Sequence, residues 1–488
     1  MTKFPPRLTM TTVTATTTEI MVTPTKQLFT LLYPSLAVLL LGLSGCVRYT
    51  PTPVSEEEVL SRFAQRSLAT PELTRFAEQM AEAEHHSGGH YDPVDGLALA
   101  EAEIAMLFFS PELAAERARV GIADATASTA GRLDDPVLSL EATRLLENAS
   151  SSANPWDSRV GLSFVIPVSG KLGVEKDLAE AEAQEARAQY LVAQREQLQE
   201  LRHTWLEYSE AAAAATLLES YLEDLREIVD LSQRLAEQSV IPRTEARLLR
   251  IEHLEREAEH RHLLARQDLL RRDALHLIGV PATPAVELLP TLEAPDSIEA
   301  DERLLIERHP ALAALRLRLA STEQAFRLEV RRQYPDLSLG PIGAEEDDLW
   351  RLGFGLSLPL PVWNKNAQGL AEAEAARDAA RAEYEAALVG VLAEVDQLRT
   401  RVTASEERLR FLREELAPVV TEQIEETRRL AELGSLDMLL LREALSMNYE
   451  TTIRLLSAQR ESAELRWSLA SYPSPQPIAP ISDHELSE

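Results

Sequence analysis

Between Gly173 and Gly279 the chain carries no glycine and one proline, Pro242. Nothing in that stretch interrupts a helix except that proline, so the pattern predicts two very long helical segments, 174–241 and 243–278, with a turn near Ser239–Arg243. At ~1.5 Å per residue the first is roughly 100 Å long, far longer than a compact domain accommodates. Leu198, Leu201, Trp205, Tyr208, Ala212 and Ala215 recur at alternating spacings of three and four, the seam of a coiled coil. The chain must therefore supply, or recruit, other long helices to cover that seam.

The residues ahead of this segment change period. Asp92 to Ala130 reads as helix, restarted by Pro111 at a first turn and ended by Gly131. Asp134-Asp135-Pro136 opens a strand, Val137 to Ala142, and a Ser/Asn-rich loop, Glu147–Asn154, follows. In Val160 to Pro167, Val160, Leu162, Phe164 and Ile166 alternate with small residues, a strand with one apolar face. The two strands read as a β-hairpin.

The same order then returns. After a Pro-rich linker over 280–300 come a helix from Asp301 to Arg332 broken at Pro310, a strand at Pro335–Gly340, a short polar loop at Ala344–Asp348, and a strand at Leu352–Pro361. A long helix from Asn366 to Leu433 turns at Gly434-Ser435 and returns to Ala470. The halves align 194 residues apart: Val160, Leu162, Phe164 and Ile166 fall on Phe354, Leu356, Leu358 and Leu360, Pro167 on Pro361, Lys171 on Lys365 and Tyr190 on Tyr384. The chain is thus a duplicated unit of helix, two strands, long helix and returning helix, residues 92–279 and 301–470. Leu388, Leu392, Val395, Val402, Leu409, Leu412 and Leu416 keep heptad spacing and read as inter-helix packing. Pro418 should kink its helix. A tail over 471–488, rich in proline, is expected to lack regular structure.

The one cysteine excludes a disulfide framework and multi-cysteine metal centres. Its setting is informative. Lys26, an apolar run from Leu28 to Leu43, and Leu43-Ser44-Gly45-Cys46 describe an export signal over 1–45, too short to span a bilayer. The signal fits a start at Met21 better than one at Met1. Leu-Ser-Gly-Cys resembles the bacterial lipobox, which implies that Cys46 is lipidated and opens a mature N-terminal segment, 46–91. Val47 in place of Asp points to the outer membrane. His85, His86 and His90 offer weak metal ligands, against the plainer reading of a solvated loop.

The net charge of −30, from 49 Lys+Arg and 79 Asp+Glu, argues against a nucleic-acid partner, whose phosphates need clustered cations. There is no HExxH, P-loop or GxSxG, and no enzymatic activity or cofactor is expected. Two hairpins supply four strands. Four cannot close a membrane barrel, which needs at least eight, and an open edge cannot lie in lipid. Three chains would supply twelve.

On Pro136-Val137-Leu138-Ser139-Leu140, Pro167-Val168-Ser169-Gly170-Lys171, Pro359-Leu360-Pro361-Val362-Trp363-Asn364 and Gly369-Leu370-Ala371-Glu372-Ala373, together with the duplicated order of elements, the chain resembles the TolC family of outer-membrane efflux proteins, in particular its lipidated members. The resemblance spans about 92–470. It implies a mainly α fold contributing strands to a membrane β-barrel: a homotrimer with a twelve-stranded barrel in outer-membrane lipid and a long periplasmic helical tunnel. It also implies docking to a periplasmic adaptor and an inner-membrane pump, for efflux or type I secretion. Ser239 stands where the family usually has Gly, and the second tip is short. Family channels narrow at the periplasmic tip, often through a carboxylate ring; the candidates are Asp437, Glu432, Glu425 and Glu426, with Glu245 in the first repeat. The competing reading of each is a solvated helix-face acid. Trp156, Trp350 and Trp363 lie at strand ends as candidate membrane-interface anchors. The alternative function is a lipid-anchored periplasmic coiled-coil adaptor or spacer without a pore.

Overall fold

The computed structural model describes residues 49–82, 91–93, 95–144, 156–283, 286–295, 302–346, 349–432 and 437–472. Cys46 and its leader, His85, His86, His90, the Gly434-Ser435 turn and the tail beyond Tyr472 lie outside the described residues. The stretch to Ser61 and that from Arg62 onward form two units; the first holds the beginning of α1 (Glu56–Gln65). The second carries everything that follows.

After α2 (Pro71–Glu82) the first repeat runs α3 (Leu99–Phe109), α4 (Pro111–Thr129), β1 (Val137–Arg144), β2 (Trp156–Ile166), α5 (Lys171–Glu237) and α6 (Arg243–Ile278). The second runs α7 (Glu302–Arg308), α8 (Pro310–Arg331), β3 (Leu337–Glu346), β4 (Leu349–Ser357), α9 (Ala367–Phe411), a π-helical turn (Leu412–Leu416), α10 (Ala417–Glu432) and α11 (Met438–Ala470). In each repeat a polar residue followed by proline restarts a helix. Ser110 Oγ accepts from Leu113 N at 3.3 Å ahead of Pro111, and His309 Nδ1 accepts from Leu312 N at 3.4 Å ahead of Pro310. Proline loses nothing at a first turn, where its missing N–H has no partner anyway.

The helix α5 is the spine, packed along α6, α8, α4 and α11. The seam read from the sequence is buried except at Ala212, which is half-buried: Leu201 and Trp205 are fully enclosed, and Leu198, Tyr208 and Ala215 nearly so. Leu198, Leu201, Trp205 and Tyr208 join Ala102, Met106, Leu275 and Ile278 in one core. Val395 of α9 and Leu412 of the π-helical turn are buried, with Leu388 packed beside Val391 and Leu398.

Several boundaries differ from the sequence expectations. The helix expected from Asp92 starts at Leu99. The strand expected to run to Pro361 ends at Ser357, because Pro359 and Pro361 have no N–H for a ladder. The expected polar loop at 344–348 is largely strand, since β3 continues to Glu346 and β4 begins at Leu349. The helix expected from Asn366 to Leu433 is interrupted at Leu412–Leu416, where Ala417 N donates to Leu412 O. Pro418 explains this: with no N–H to offer, its ring is accommodated by one widened turn just before it. Part of the Pro-rich stretch is packed. Leu288 is buried and bridges Leu97, Tyr208 Oη donates to Leu288 O at 3.2 Å, Trp205 Nε1 to Leu289 O at 3.2 Å, and Thr291 N to Ser209 Oγ at 2.9 Å.

Candidate functional site

The four strands form one antiparallel sheet in the order β1-β2-β3-β4. The central pairing, β2 with β3, joins the two repeats. Strand alternation and register together sort the side chains into two unlike faces. One face carries Leu138 and Leu140 of β1, Val160, Leu162, Phe164 and Ile166 of β2, Leu337 and Leu339 of β3, and Trp350, Leu352, Phe354 and Leu356 of β4. The other is built mainly of small residues, with Ser139, Gly161, Ile342 and Gly353 in one register row and Ser163, Gly340 and Gly355 in the next. Gly340 is forced: a Cβ there would lie 1.7 Å from Leu162 O.

The apolar face is uncovered in the single chain, with Leu352 88% exposed and Phe354 67%. A patch of this size on a protein surface marks a contact with another protein or a membrane. The outer strands β1 and β4 each pair on one side only, leaving unpaired backbone groups along both edges. The strands have eight to eleven residues, the length that crosses a bilayer when tilted. Trp350 and Trp363 are 71% and 96% exposed, at opposite ends of the β4 segment. Trp156 begins β2. Among the described residues no helix is long and apolar enough to cross a membrane.

Two elbows carry the sheet into the long helices. Gly170 takes a left-handed conformation (φ 74°), which costs glycine nothing. Next to it Lys171 Nζ meets Asp336 Oδ2 at 2.5 Å, both mostly buried, tying the first repeat's elbow to the start of β3. In the second repeat Lys365 and Asn366 are left-handed, and Asn366 Nδ2 donates to Glu329 O at 2.9 Å and Oε2 at 2.6 Å. These side-chain bonds hold a conformation that residues with a Cβ adopt reluctantly.

At the opposite end of the helices, Leu225, Val229, Leu249, Ile424, Met438 and Leu445 form a core in which both hairpins meet. Tyr221 of α5 and Tyr449 of α11 stack at 5.0 Å, and Arg256 of α6 lies over both rings at 5.8 and 5.2 Å. Tyr221 Oη donates to Glu252 at 3.0 Å, and Arg442 of α11 reaches Glu252 at 3.5 Å. Burial raises both phenols, helped by Glu252 at Tyr221 and by Glu259 at Tyr449, the latter to about 12, so both remain proton donors.

The acidic candidates all fall near this end. Asp437 is the N-cap of α11, exposed, its Oδ1 accepting from Leu439 N and Leu440 N at 3.1 Å each. Glu245 is half-buried in the first turn of α6. Glu425 and Glu426 are exposed on α10, beside buried Ile424. Glu432 ends that helix. The structure brings these residues to one end of the bundle. Among the described residues no group of three or more potential ligands could hold a metal ion. The aromatic–arginine stack was not read from the sequence; its members lie on three helices, and no local pattern links them.

Residues 303–472 match the outer membrane efflux protein family. The fold is that of solved outer-membrane proteins at low identity. The VceC outer membrane protein of Vibrio cholerae is 20% identical, with a TM-score of 0.65 over 77% of this chain and 96% of that one. The MtrE outer membrane channel of Neisseria gonorrhoeae is 16% identical, with a TM-score of 0.63 over 79% and 93%. The CmeC outer membrane channel of Campylobacter jejuni is 12% identical, with a TM-score of 0.61 over 88% and 93%. No curated protein sequence matches the chain. The family match covers the second repeat, and the sheet and hairpins of the first repeat are built on the same plan.

Proposed function

We propose that this chain is one subunit of an outer-membrane efflux channel, a passive exit duct in a tripartite system. One observation carries the reading: a four-stranded sheet with a largely exposed apolar face and two unpaired edges, mounted on long helices. Lipid accepts that face but not those edges, because each unpaired N–H or C=O in hydrocarbon costs several kcal/mol. Pairing β1 of one copy with β4 of the next removes every edge. Three copies make twelve strands, an even-numbered barrel within the size range of outer-membrane proteins. Nine residues of β4 rise about 30 Å, and a tilt near 40° brings this to about 23 Å, the height of the apolar band of such barrels.

The small-residue face then lines the lumen, and the helices continue it into the periplasm as a coiled-coil tunnel. The duct spends no energy; an inner-membrane pump, docked through a periplasmic adaptor, drives transport. Cys46 carries lipid that holds the N-terminus at the membrane. Asp437, with Glu425, Glu426, Glu432 and Glu245, supports a ring of carboxylates at the periplasmic tip, where three copies of each acid repel one another and favour cations. The test is the native mass of the mature protein extracted from outer membranes in mild detergent. Three chain masses are expected; a monomer released without detergent refutes the channel.

A further inference from the structure

A cavity of about 770 Å³ lies where α5, the start of α8, α9 and the end of α11 meet, a volume within the range of small-molecule sites. Helical spacing puts Arg195, Gln199 and Arg202 on one stripe of α5 and Glu196, Glu200 and His203 on the next, at i, i+4 and i+7, and all six line the cavity. Two of its charged side chains are already paired. Glu103 holds Arg202 at 2.6 and 3.1 Å, and Arg460 and His203 hold Glu464 at 2.5 and 3.0 Å. Arg195, half-buried, makes no ion pair. Its guanidinium lies 4.7 Å over the Tyr472 ring, and its Nε has no hydrogen bond. Glu196, Glu200 and, across on α9, Glu394 are exposed and also make no ion pair. The unpaired charges are one positive at the base and three negative at the rim, 1 − 3 = −2.

The base is also short of acceptors. His309 is 3% exposed and neutral when folded. Its Nδ1 accepts from Leu312 N, so the single ring proton sits on Nε2. Nε2 faces Arg195 Nη1 at 3.2 Å. Two donors thus meet with no acceptor between them, an arrangement that buried polar groups avoid. Tyr472 Oη, enclosed beside them, makes no hydrogen bond. Burial, then Glu394, raises its phenol, so it stays a third donor. Leu206, Val391 and Leu398 supply an apolar wall.

We infer that this cavity binds a zwitterionic small molecule with an apolar body, its carboxylate or phosphate on Arg195, His309 Nε2 and Tyr472 Oη and its ammonium group among Glu196, Glu200 and Glu394. A simple anion meets the surplus of acids, and a simple cation meets Arg195 and the donors around it. A molecule with both charges answers both ends of the cavity. The acids do not gather into a metal site. The bound molecule ties α5 of the first repeat to α8, α9 and α11 of the second. The site needs only the single chain and goes beyond the channel reading.

The experiment is isothermal titration of the full-length protein in mild detergent at neutral pH with three probes of one body: leucyl-leucine, its N-acetyl derivative, which is only an anion, and its amide, which is only a cation. Leucyl-leucine should bind the wild type about tenfold or more tighter than either derivative, since each derivative leaves one set of charge-assisted hydrogen bonds unmade. Arg195→Gln should erase the preference over the amide and keep the preference over the N-acetyl derivative. Glu200→Gln should narrow the preference over the N-acetyl derivative and keep the preference over the amide. A folding defect weakens all three probes alike and cannot imitate this pair of changes. No binding of any probe to the wild type, equal affinity for all three, or tightest binding of the amide overturns the inference. None of these results bears on the native mass that tests the channel, so the two readings fail separately.

Discussion

Gly340→Ala should damage the assembly far more than alanine at a neighbouring glycine of the same face. At Gly340 an added Cβ would lie 1.7 Å from Leu162 O and 2.8 Å from its carbonyl carbon. Real Cβ contacts stay above 3.0 Å, so β3 must withdraw from β2 by more than 1 Å. Strands sit about 4.8 Å apart, and a displacement of that size breaks the flanking ladder bonds. The position is already thin: the pairing runs Gly161↔Ile342 and resumes at Phe164↔Leu339, with Pro341 unable to donate between them. Losing two more ladder bonds at a net of about 1 kcal/mol each, plus strain, costs about 2–3 kcal/mol. The loss falls on the joint between the two repeats. At Gly353 the nearest atom to an added Cβ is 3.9 Å away, so alanine fits. The assay is the temperature at which the detergent-extracted assembly dissociates on a mildly denaturing gel. Gly340→Ala should lower it by about 5 °C or more, or prevent assembly, while Gly353→Ala leaves it within about 1 °C. Equal behaviour of the two variants would refute the reasoning that backbone contact between the repeats sets the sheet.

Burial, then the Arg195 guanidinium, lowers His309 from 6.5 to about 4, so it is neutral when folded. The unfolded chain binds the extra proton between those values, and stability should fall as pH drops from about 6.5 to about 4, by roughly 1–2 kcal/mol after allowance for solvent screening; His309→Asn should flatten that limb in urea titrations. Lys171→Met should cost about 1–2 kcal/mol by leaving Asp336 half-buried without its cation, and a double-mutant cycle with Asp336→Asn should recover part of it. Tyr449→Ala should cost about 3–4 kcal/mol by emptying the stack between Tyr221 and Arg256, whereas Tyr449→Phe should cost under about 1 kcal/mol in the same melts. Pro418→Ala should let a continuous helix replace the π turn at Leu412–Leu416, read as a lengthened distance between spin labels at Arg401 and Thr421.

The strand pattern of Val160 to Ile166 and the glycine-free run that became α5 were legible because each depends on neighbours in sequence. So was Asp437 as a residue of interest, although its hydrogen bonds are those of a helix cap, a role any Asp ahead of an apolar run can play. The strand end at Ser357 was misread because Leu358 and Leu360 keep the apolar alternation while Pro359 and Pro361 remove the ladder. The burial of Leu288 depends on hydroxyl and indole groups of α5 some 80 residues earlier. The row that aligns Glu141, Arg159 and Arg351 needs the register of all four strands before its members fall into line. Alternation along any one of them shows only isolated charges.

The most direct test of the closed sheet is a cysteine pair across the expected seam between copies. Ser139→Cys on β1 is combined in turn with Arg351→Cys, Gly353→Cys or Gly355→Cys on β4, so that one combination meets whatever register joins the two edges. Oxidation in intact outer membranes, followed by a denaturing gel, should give a ladder ending at three chains for at least one combination, with neither single variant cross-linking. Monomer in every combination, from membranes that hold the protein at normal levels, would contradict the shared barrel.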